Sequence, residues 1–338
     1  MRDPAEDGAM ATARTQLNRA GEPAGHHGRW PALPLEAWSE TCDTLHMWMQ
    51  IVGKVKLSLA PFQNQWWQVA FHPTARGLTT GPIPANGGVF EAEFDFVDHN
   101  LVVRTSDGRC KALALMPDSV SDFYHHVMNA LRALGIECRI NPRPVEVPDS
   151  IPFDLDREHA SYDPDYVHRW WVIVTRTATI LEQSRSSFVG KSSPILFFWG
   201  SFDLSETRFS GRPATPPAGV PRFAQLAENQ ENMACGFWPG NASASGATLG
   251  RPAFYAYIYP EPPGFKEASV RPREARYNEA LSEFILPYEA ARQADSPDRA
   301  IRDFFDSTYE AAATLAHWDR SLLERRPEPG RPRTSGGR

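Results

Sequence analysis

The residues with the clearest potential for chemistry follow the most aromatic stretch of the chain. In FFWGSFDLSETRFSGRP, residues 197–213, Trp199 precedes Asp203 and Arg208 follows it. A carboxylate that is walled by aromatic rings and held near an arginine has a perturbed pKa, as acid–base catalysis often requires. A second interpretation is structural, with Asp203 capping the turn at Ser205 and pairing with Arg208. Both interpretations stay open, and the first makes Asp203 a candidate catalytic residue.

His159 is the best candidate for a general acid or base. It lies in EHASYDPDYVHRW, on the loop before a predicted helix, and loops carry functional residues more often than helix interiors do. An imidazole changes its charge near neutral pH without an extreme environment. His168 falls inside the predicted helix and is expected to be a hydrogen-bonded core residue. Glu231 supplies a further placed charge and completes the candidate catalytic set with His159 and Asp203.

Aromatic and charged side chains at strand ends and turns are candidates for substrate binding. The set comprises Trp67, His72, Arg76, His99, Lys191, Trp199 and Arg208. Lys191 lies in a glycine–serine turn without the GxxxxGK[ST] frame of a P-loop, so recognition of a phosphate or carboxylate competes with a solvated turn lysine. The HExxH and DxDxDG frames of metal sites are absent from the sequence. No cofactor is therefore predicted, and metal binding stays a minority hypothesis without a supporting motif.

The composition restricts the class of protein. The chain has 338 residues, of which 41% are hydrophobic, enough for a substantial core in two domains or one duplicated domain. The formal net charge of −6 offers no basic face for nucleic acid, and no apolar run is long enough to span a bilayer. The N-terminus lacks an apolar signal region, and the four cysteines form no CxxC pair. We expect a cytoplasmic protein whose partner is a small molecule; its oligomeric state stays open.

The pattern of apolar residues predicts an α+β fold with antiparallel sheets and flanking helices. VFEAEFDFV alternates as a half-buried strand, LVVRT is its hairpin partner, and WWQVAFHPT is a further strand. The predicted organisation is a disordered leader over residues 1–32, a first α+β half over 33–147, a second half with C-terminal helices over 148–324, and a disordered tail over 325–338. LHMW and VHRW open comparable helices in the two halves. An internal duplication and convergent helix starts explain this similarity equally well.

Several sequence blocks resemble one bacterial family, catalogued as domain of unknown function 5996. They include HMWMQIVGKVKLSLAP, TARGLTTGPIP, FVGKSSPILFFWGSFDLSETRFSGR and GFWPG, and the resemblance extends from about Leu33 to Glu324. It implies a single integrated unit and no established activity. The family typically carries a Tyr-Ser-His-Glu run just before GFWPG, where this chain has Glu-Asn-Gln-Glu, so that Gln230 replaces the histidine. If that histidine is a base or a metal ligand in relatives, this chain has lost or changed that chemistry.

These observations combine into one functional expectation. We expect an enzyme that acts on a small polar or aromatic metabolite by acid–base or electrostatic catalysis, in a cleft between the two halves. The alternative is a noncatalytic protein that binds a small molecule in the same aromatic cleft. Either function requires Asp203 and His159 to come together from separate loops.

Overall fold

The computed structural model describes residues 30–325, apart from residues 86, 217, 220–221 and 242–248. These residues form two antiparallel six-stranded sheets and seven α-helices, which confirms the predicted α+β class. The helices are α1 (Ser39–Leu59), α2 (Val120–Ala133), α3 (Pro164–Arg185), α4 (Arg222–Ala227), α5 (Tyr288–Arg292), α6 (Pro297–Leu315) and α7 (Arg320–Leu323). None of the described helices combines the length and apolar composition that a membrane crossing requires.

Most of the predicted leader and tail, residues 1–29 and 326–338, lies outside the described residues. At the start of the described chain Trp30 is buried, and its indole N–H donates a hydrogen bond of 2.7 Å to Asp298 on α6. The chain is therefore tied to the C-terminal helices from its first described residue.

The first sheet follows from the alternation in VFEAEFDFV. Its strands are β1 (His72–Pro73), β2 (Gly77–Thr79), β3 (Ile83–Ala85), β4 (Gly88–Asp95), β5 (Asn100–Thr105) and β6 (Cys110–Ala114), in the order β1-β2-β4-β5-β6, with β3 paired to the start of β4. Phe90, Ala92 and Phe94 are buried, whereas Glu91 and Glu93 lie on the more exposed face. The alternation of apolar and polar residues thus correctly predicted that one face of β4 is buried in the core.

The second sheet has two unlike faces. Its strands are β7 (Leu196–Phe198), β8 (Asp203–Pro213), β9 (Gln230–Trp238), β10 (Ala253–Tyr259), β11 (Arg276–Asn278) and β12 (Glu283–Pro287), in the order β11-β12-β10-β9-β8-β7. The face that includes Leu204, Phe237, Phe254 and Leu286 is apolar and belongs to the core together with α3 and α6. The other face carries polar and tyrosine side chains, and it holds the candidate site described below.

A short backbone seam joins the two sheets edge to edge. Phe71, just before β1, and Phe197 on β7 exchange two backbone hydrogen bonds of 2.9 Å each. Both rings are buried in the single large core cluster that includes residues of both sheets. The two halves therefore pack as one unit.

Helix α1 lies at the centre of that unit and carries a polar stripe. Its members recur at the i+3 and i+4 spacing that places side chains on one face: Asp43, His46, Gln50, Lys54 and Ser58. The connector of residues 138–161 runs along this stripe in the opposite direction. Ser58 Oγ lies 3.1 Å from Cys138 Sγ, Gln50 binds the backbone of Val145, and His159 interacts electrostatically with Asp43.

Three features depart from expectation. The strand predicted over WWQVAFHPT is confined to the Phe71 bridge and β1, because Gln65 and Trp66 adopt left-handed φ angles of 54° and 62° that turn the chain. The structure does not show the internal duplication: the strand orders of the two sheets differ, and His46 is buried whereas its proposed counterpart His168 is exposed. The prediction of His168 as a core residue is therefore wrong.

Candidate active site

Asp203 opens β8 on the polar face of the second sheet. Its two carboxylate oxygens accept hydrogen bonds from the hydroxyls of Ser201 and Tyr255. Phe202, just before it, has a left-handed φ of 61°, which turns the chain sharply between β7 and β8. Burial raises the pKa of Asp203, and the two hydroxyl hydrogen bonds oppose that increase because they stabilise the ionised form.

Tyr255 reaches Asp203 across an intervening strand. The register pairs Tyr255 on β10 with Gly236 on β9, and Gly236 with Ser205 on β8. A Cβ at Gly236 would lie 2.8 Å from the Tyr255 hydroxyl and 1.8 Å from the carbonyl oxygen of Leu204. Glycine at this position therefore allows the tyrosine to cross β9 and bind the carboxylate.

Glu146 joins Asp203 from the connector of the first half. The Gln50 side chain holds the backbone of Val145 at two points, accepting from its N–H at 2.9 Å and donating to its carbonyl at 2.8 Å. Glu146 then adopts a left-handed φ of 57°, and its carboxyl lies so close to Gly200 that a Cβ there would be 2.5 Å from Oε1. Burial, and then the charge of Asp203, raise the pKa of Glu146 to about 7.

Glu283 and Tyr257 complete the group from the neighbouring strands. Burial, and then the charge of Asp203, raise the pKa of Glu283 at the start of β12 to about 8. The Tyr257 ring stacks on Tyr255 with the centroids 6.4 Å apart and the planes 16° apart. We refer to Asp203, Glu146, Glu283, Tyr255 and Tyr257 as the carboxylate–tyrosine cluster.

The cluster is acidic without an internal counter-charge. Among the described residues, no lysine, arginine or histidine forms an ion pair with Asp203, Glu146 or Glu283. The described residues also contain no group of three or more His, Cys, Asp or Glu side chains arranged to hold a metal ion. The charge of Asp203 therefore raises the pKa values of Glu146 and Glu283 beyond the effect of burial.

A buried histidine fixes the turn beneath the cluster. His46 Nε2 lies 3.0 Å from the carbonyl oxygens of both Trp199 and Gly200, so it carries the proton and donates to them. Its Nδ1 accepts from the Asn241 amide at 3.3 Å, and Trp238 donates to the other end of that amide at 2.9 Å. Burial lowers the pKa of His46 to about 4, which keeps it neutral. His46 thus positions the turn that leads to Asp203.

The structure places His159 against a different turn of α1. His159 Nδ1 lies 2.8 Å from Oδ2 of Asp156, whose side chain is buried, and the imidazole is partly exposed. Its backbone N–H also binds Asp156, at 3.1 Å. Asp43, with which His159 interacts, precedes His46 by about one helical turn. Within the described residues no hydrogen bond or ion pair links His159 to Asp203.

Arg208 and Glu231 lie away from the cluster. Arg208 is on the opposite face of β8 from Asp203, where it is 1% exposed and pairs with Glu206 at 3.0 Å. The expected pairing of Arg208 with Asp203 is therefore wrong, because residues an odd number apart on a strand face opposite ways. Glu231 accepts hydrogen bonds from Ser210 at 2.9 Å and from Arg212 at 2.6 Å.

Trp199, Trp67 and Lys191 have packing partners outside the cluster. Trp199 is buried against Gly53 of α1, and its indole N–H donates to the carbonyl of Val69 at 2.7 Å. Lys191 lies over the rings of Trp67 and Phe209, 5.4 Å and 4.5 Å from their centroids. Its ammonium also donates to the side-chain oxygens of Gln65 and Gln230, at 2.8 Å and 3.4 Å. Gln230, the position at which the family resemblance places a histidine, is thus a contact of Lys191.

The remaining predicted residues belong to the first half of the chain. Arg76 pairs with Asp95 and Asp98 at 2.6 Å each. His99 Nδ1 lies 2.7 Å from the Tyr162 hydroxyl. His72 is half-buried on β1. None of these three is among the described contacts of the carboxylate–tyrosine cluster.

One pocket of the described residues lies elsewhere. A cavity of about 280 Å³ lies between the β4–β5 end of the first sheet and the end of α2, and its lining includes Phe90, Thr105, Arg109 and Leu134. Arg109 is committed there to Asp107 at 2.7 Å. No predicted site residue lines this cavity, which therefore lies in a different part of the molecule from the unpaired carboxyl groups. The unpaired carboxyl groups, and not this cavity, define the candidate site.

Sequence reasoning identified Asp203 but missed its neighbours. The alternation in FYAYIY predicts that Tyr255 and Tyr257 share one face of a strand, and this signal was available. No local sequence pattern predicts that Glu146 and Glu283 belong to the site. The position of Glu146 depends on the hydrogen bonds between Gln50 and Val145, and that of Glu283 depends on the order of the strands. His46 is found only as part of the polar stripe of α1.

Comparisons with known proteins concern the family and not the chemistry. A family model described as a family of unknown function, DUF5996, matches residues 30–325. No curated protein and no solved structure matches the chain.

Proposed function

The chain belongs to the DUF5996 family of unknown function, and from the geometry of its site we propose that it is an enzyme that acts on a small polar or aromatic molecule by acid–base catalysis at the carboxylate–tyrosine cluster. The observation that carries the proposal is the convergence of three carboxyl groups, from the connector, β8 and β12, without a basic partner among the described residues. Structural carboxylates in protein interiors are normally paired with a cation. A group that is unpaired and has a shifted pKa is a functional candidate.

The hydrogen bonds of the cluster divide the roles of acid and base. Asp203 receives two hydroxyl hydrogen bonds that favour its ionised form, and it is the proposed base. The carboxyl groups of Glu146 and Glu283 accept no hydrogen bond among the described residues, and their pKa values of about 7 and 8 leave protons available at neutral pH. They are the proposed acids, since a catalytic pKa is most effective near the working pH.

The surroundings favour a substrate with a cationic group and a flat face. No described side chain supplies a positive charge to the three carboxyl groups. An ammonium or similar cation on the substrate would supply it. The stacked rings of Tyr255 and Tyr257 offer apolar and cation–π contact. The substrate class is therefore a small polar molecule that bears an amine, with or without an aromatic ring.

The test is a screen for chemical turnover with matched variants. The wild-type protein is incubated with panels of cationic, neutral and anionic small molecules, and mass changes are recorded. We expect turnover in the cationic panel that falls at least a hundredfold in Asp203→Asn and in Glu146→Gln, with the thermal midpoint nearly unchanged. Glu279→Gln, a change at an exposed carboxylate that pairs with Lys266, is the control and should keep full activity.

Two outcomes would decide against catalysis at the carboxylate–tyrosine cluster. Turnover that survives both variants would place the chemistry outside the cluster. A ligand that raises the thermal midpoint of the wild type, is lost in Asp203→Asn and is never converted would identify a noncatalytic binding protein instead.

A further inference from the structure

Helix α1 carries two buried lysines without a carboxylate partner. Lys54 and Lys56 are each 5% exposed, and neither forms an ion pair within the described residues. Lys54 has an aromatic neighbour, the ring of Phe153 at 6.0 Å. A buried charge is costly unless it is paired, so an unpaired ammonium in the interior calls for a partner.

Lys56 lies at the seam between the two sheets. Its ammonium donates to the carbonyl oxygen of Ala70, which directly precedes the Phe71 bridge to Phe197. An ammonium has three N–H donors, and this is its one hydrogen bond among the described residues. Two donors therefore remain for another acceptor.

His72 lies two residues beyond Ala70 and close to the same ammonium. Burial, and then the charge of Lys56, lower the pKa of His72, and no described residue hydrogen-bonds to its ring. The ring is loosely packed on the side of Gly81, where an added Cβ would have His72 Cδ2 at 3.7 Å as its one neighbour within 4 Å. Among the described residues, neither the two remaining N–H groups of Lys56 nor the ring of His72 has a hydrogen-bond acceptor.

The carboxylate in the same row of the sheet as His72 is already paired with other residues. The register places Thr79 beside His72 and Glu93 beside Thr79. Glu93 accepts from Arg104 at 3.0 Å and from Thr74 at 2.8 Å. It therefore does not neutralise Lys56.

We propose that Lys56 and His72 form a binding site for a small oxyanion, a carboxylate or phosphate group, at the seam between the two sheets. The oxyanion would accept the remaining N–H groups of Lys56 and a ring N–H of His72, and its charge would offset the buried ammonium. This site is separate from the carboxylate–tyrosine cluster, and either can exist without the other.

Thermal unfolding with defined anions tests the site. The wild type, Lys56→Met and Lys54→Met are unfolded at pH 7 and fixed ionic strength in sodium chloride, phosphate or acetate. A ligand that binds the folded state raises the midpoint with its concentration. Phosphate also stabilises proteins generally because it is excluded from their surfaces, so the difference between variants is what counts. Lys54→Met removes the other buried lysine of α1 and is the matched control.

We expect phosphate or acetate to stabilise the wild type and Lys54→Met, with at least a tenfold weaker apparent affinity in Lys56→Met. The anion that acts identifies the ligand as a phosphate or a carboxylate. His72→Asn, at a half-buried position, should weaken binding several-fold and serves if Lys56→Met does not fold. An equal response in Lys56→Met, or in His72→Asn when it alone folds, would overturn the proposal. So would the absence of any anion effect beyond that of chloride in the wild type.

Discussion

The two faces of β8 bury charge in opposite ways. On the core face, Glu206 and Arg208 are 0% and 1% exposed and form an ion pair of 3.0 Å. Arg208 also donates to Ser184 at 3.0 Å and lies 4.8 Å from the centre of the Tyr309 ring. On the polar face, Asp203 has hydroxyl partners but no cation among the described residues. The strand thus carries a paired and an unpaired charge a few residues apart.

This difference separates a structural charge from a functional one. Burial raises the pKa of both Glu206 and Asp203, so burial alone does not distinguish them. Arg208 lowers the pKa of Glu206 against that effect, whereas the charge of Asp203 adds to burial in raising the pKa values of Glu146 and Glu283. A paired carboxylate is held ionised, whereas an unpaired cluster can exchange protons.

Removing one partner of the buried ion pair between Glu206 and Arg208 should produce the largest effect on stability. Glu206→Gln leaves the Arg208 guanidinium buried without its carboxylate, which costs roughly 3–5 kcal/mol of unfolding free energy. Asp203→Asn takes the acceptor away from one of the two hydroxyls, but it also removes a buried charge that has no cationic partner. The two effects oppose each other, so the unfolding free energy should change by less than about 1 kcal/mol. Urea-induced unfolding at pH 7 measures both variants.

A matched double variant sharpens this result. Glu206→Gln combined with Arg208→Met removes both charges and should recover much of the loss, because a buried pair is worth little relative to apolar residues of similar size. If Asp203→Asn destabilises the protein as strongly as Glu206→Gln, the distinction between the two faces fails.

The parts of the molecule that local patterns determine were predictable. Alternation in VFEAEFDFV placed β4, and the aromatic setting of FFWGSFDL singled out Asp203. The position of Glu146 was not predictable, because it depends on the hydrogen bonds between Gln50 and Val145, which are 95 residues apart. The orientation of Arg208 could have been predicted, since a strand that begins at Asp203 turns Arg208 to the other face. The meeting of Lys56 with Ala70 and His72 required the tertiary fold.

An effect of intermediate size is expected from the two tyrosines of the cluster. Tyr255→Phe removes a hydroxyl that donates to Asp203 and should cost about 1–2 kcal/mol, in the range of hydrogen bonds to charged groups. It should also raise the pKa of Asp203 further. Tyr257→Phe retains the stacked ring, and because no described residue hydrogen-bonds to the Tyr257 hydroxyl, it should cost less than about 0.5 kcal/mol. Equal losses in the two variants would mean that the hydrogen bond to Asp203 has no special weight.

The smallest effect is a change in how stability depends on pH. In the folded protein the pKa of Glu283 is about 8 and that of Glu146 about 7, both above the value of 4.5 for an unfolded glutamate. The folded state therefore retains protons that the unfolded state releases. The stability contributed by each group is fully present below pH 4.5 and is lost as the pH rises through 7 to 8.

Glu283→Gln should flatten this decline between pH 5 and pH 8.5 relative to the wild type, measured as unfolding midpoints in urea. Glu279→Gln, at an exposed carboxylate, should retain the wild-type decline. A decline of the same steepness in Glu283→Gln would show that Glu283 is ionised throughout, and the carboxylate–tyrosine cluster would then lack one of its two proposed proton donors.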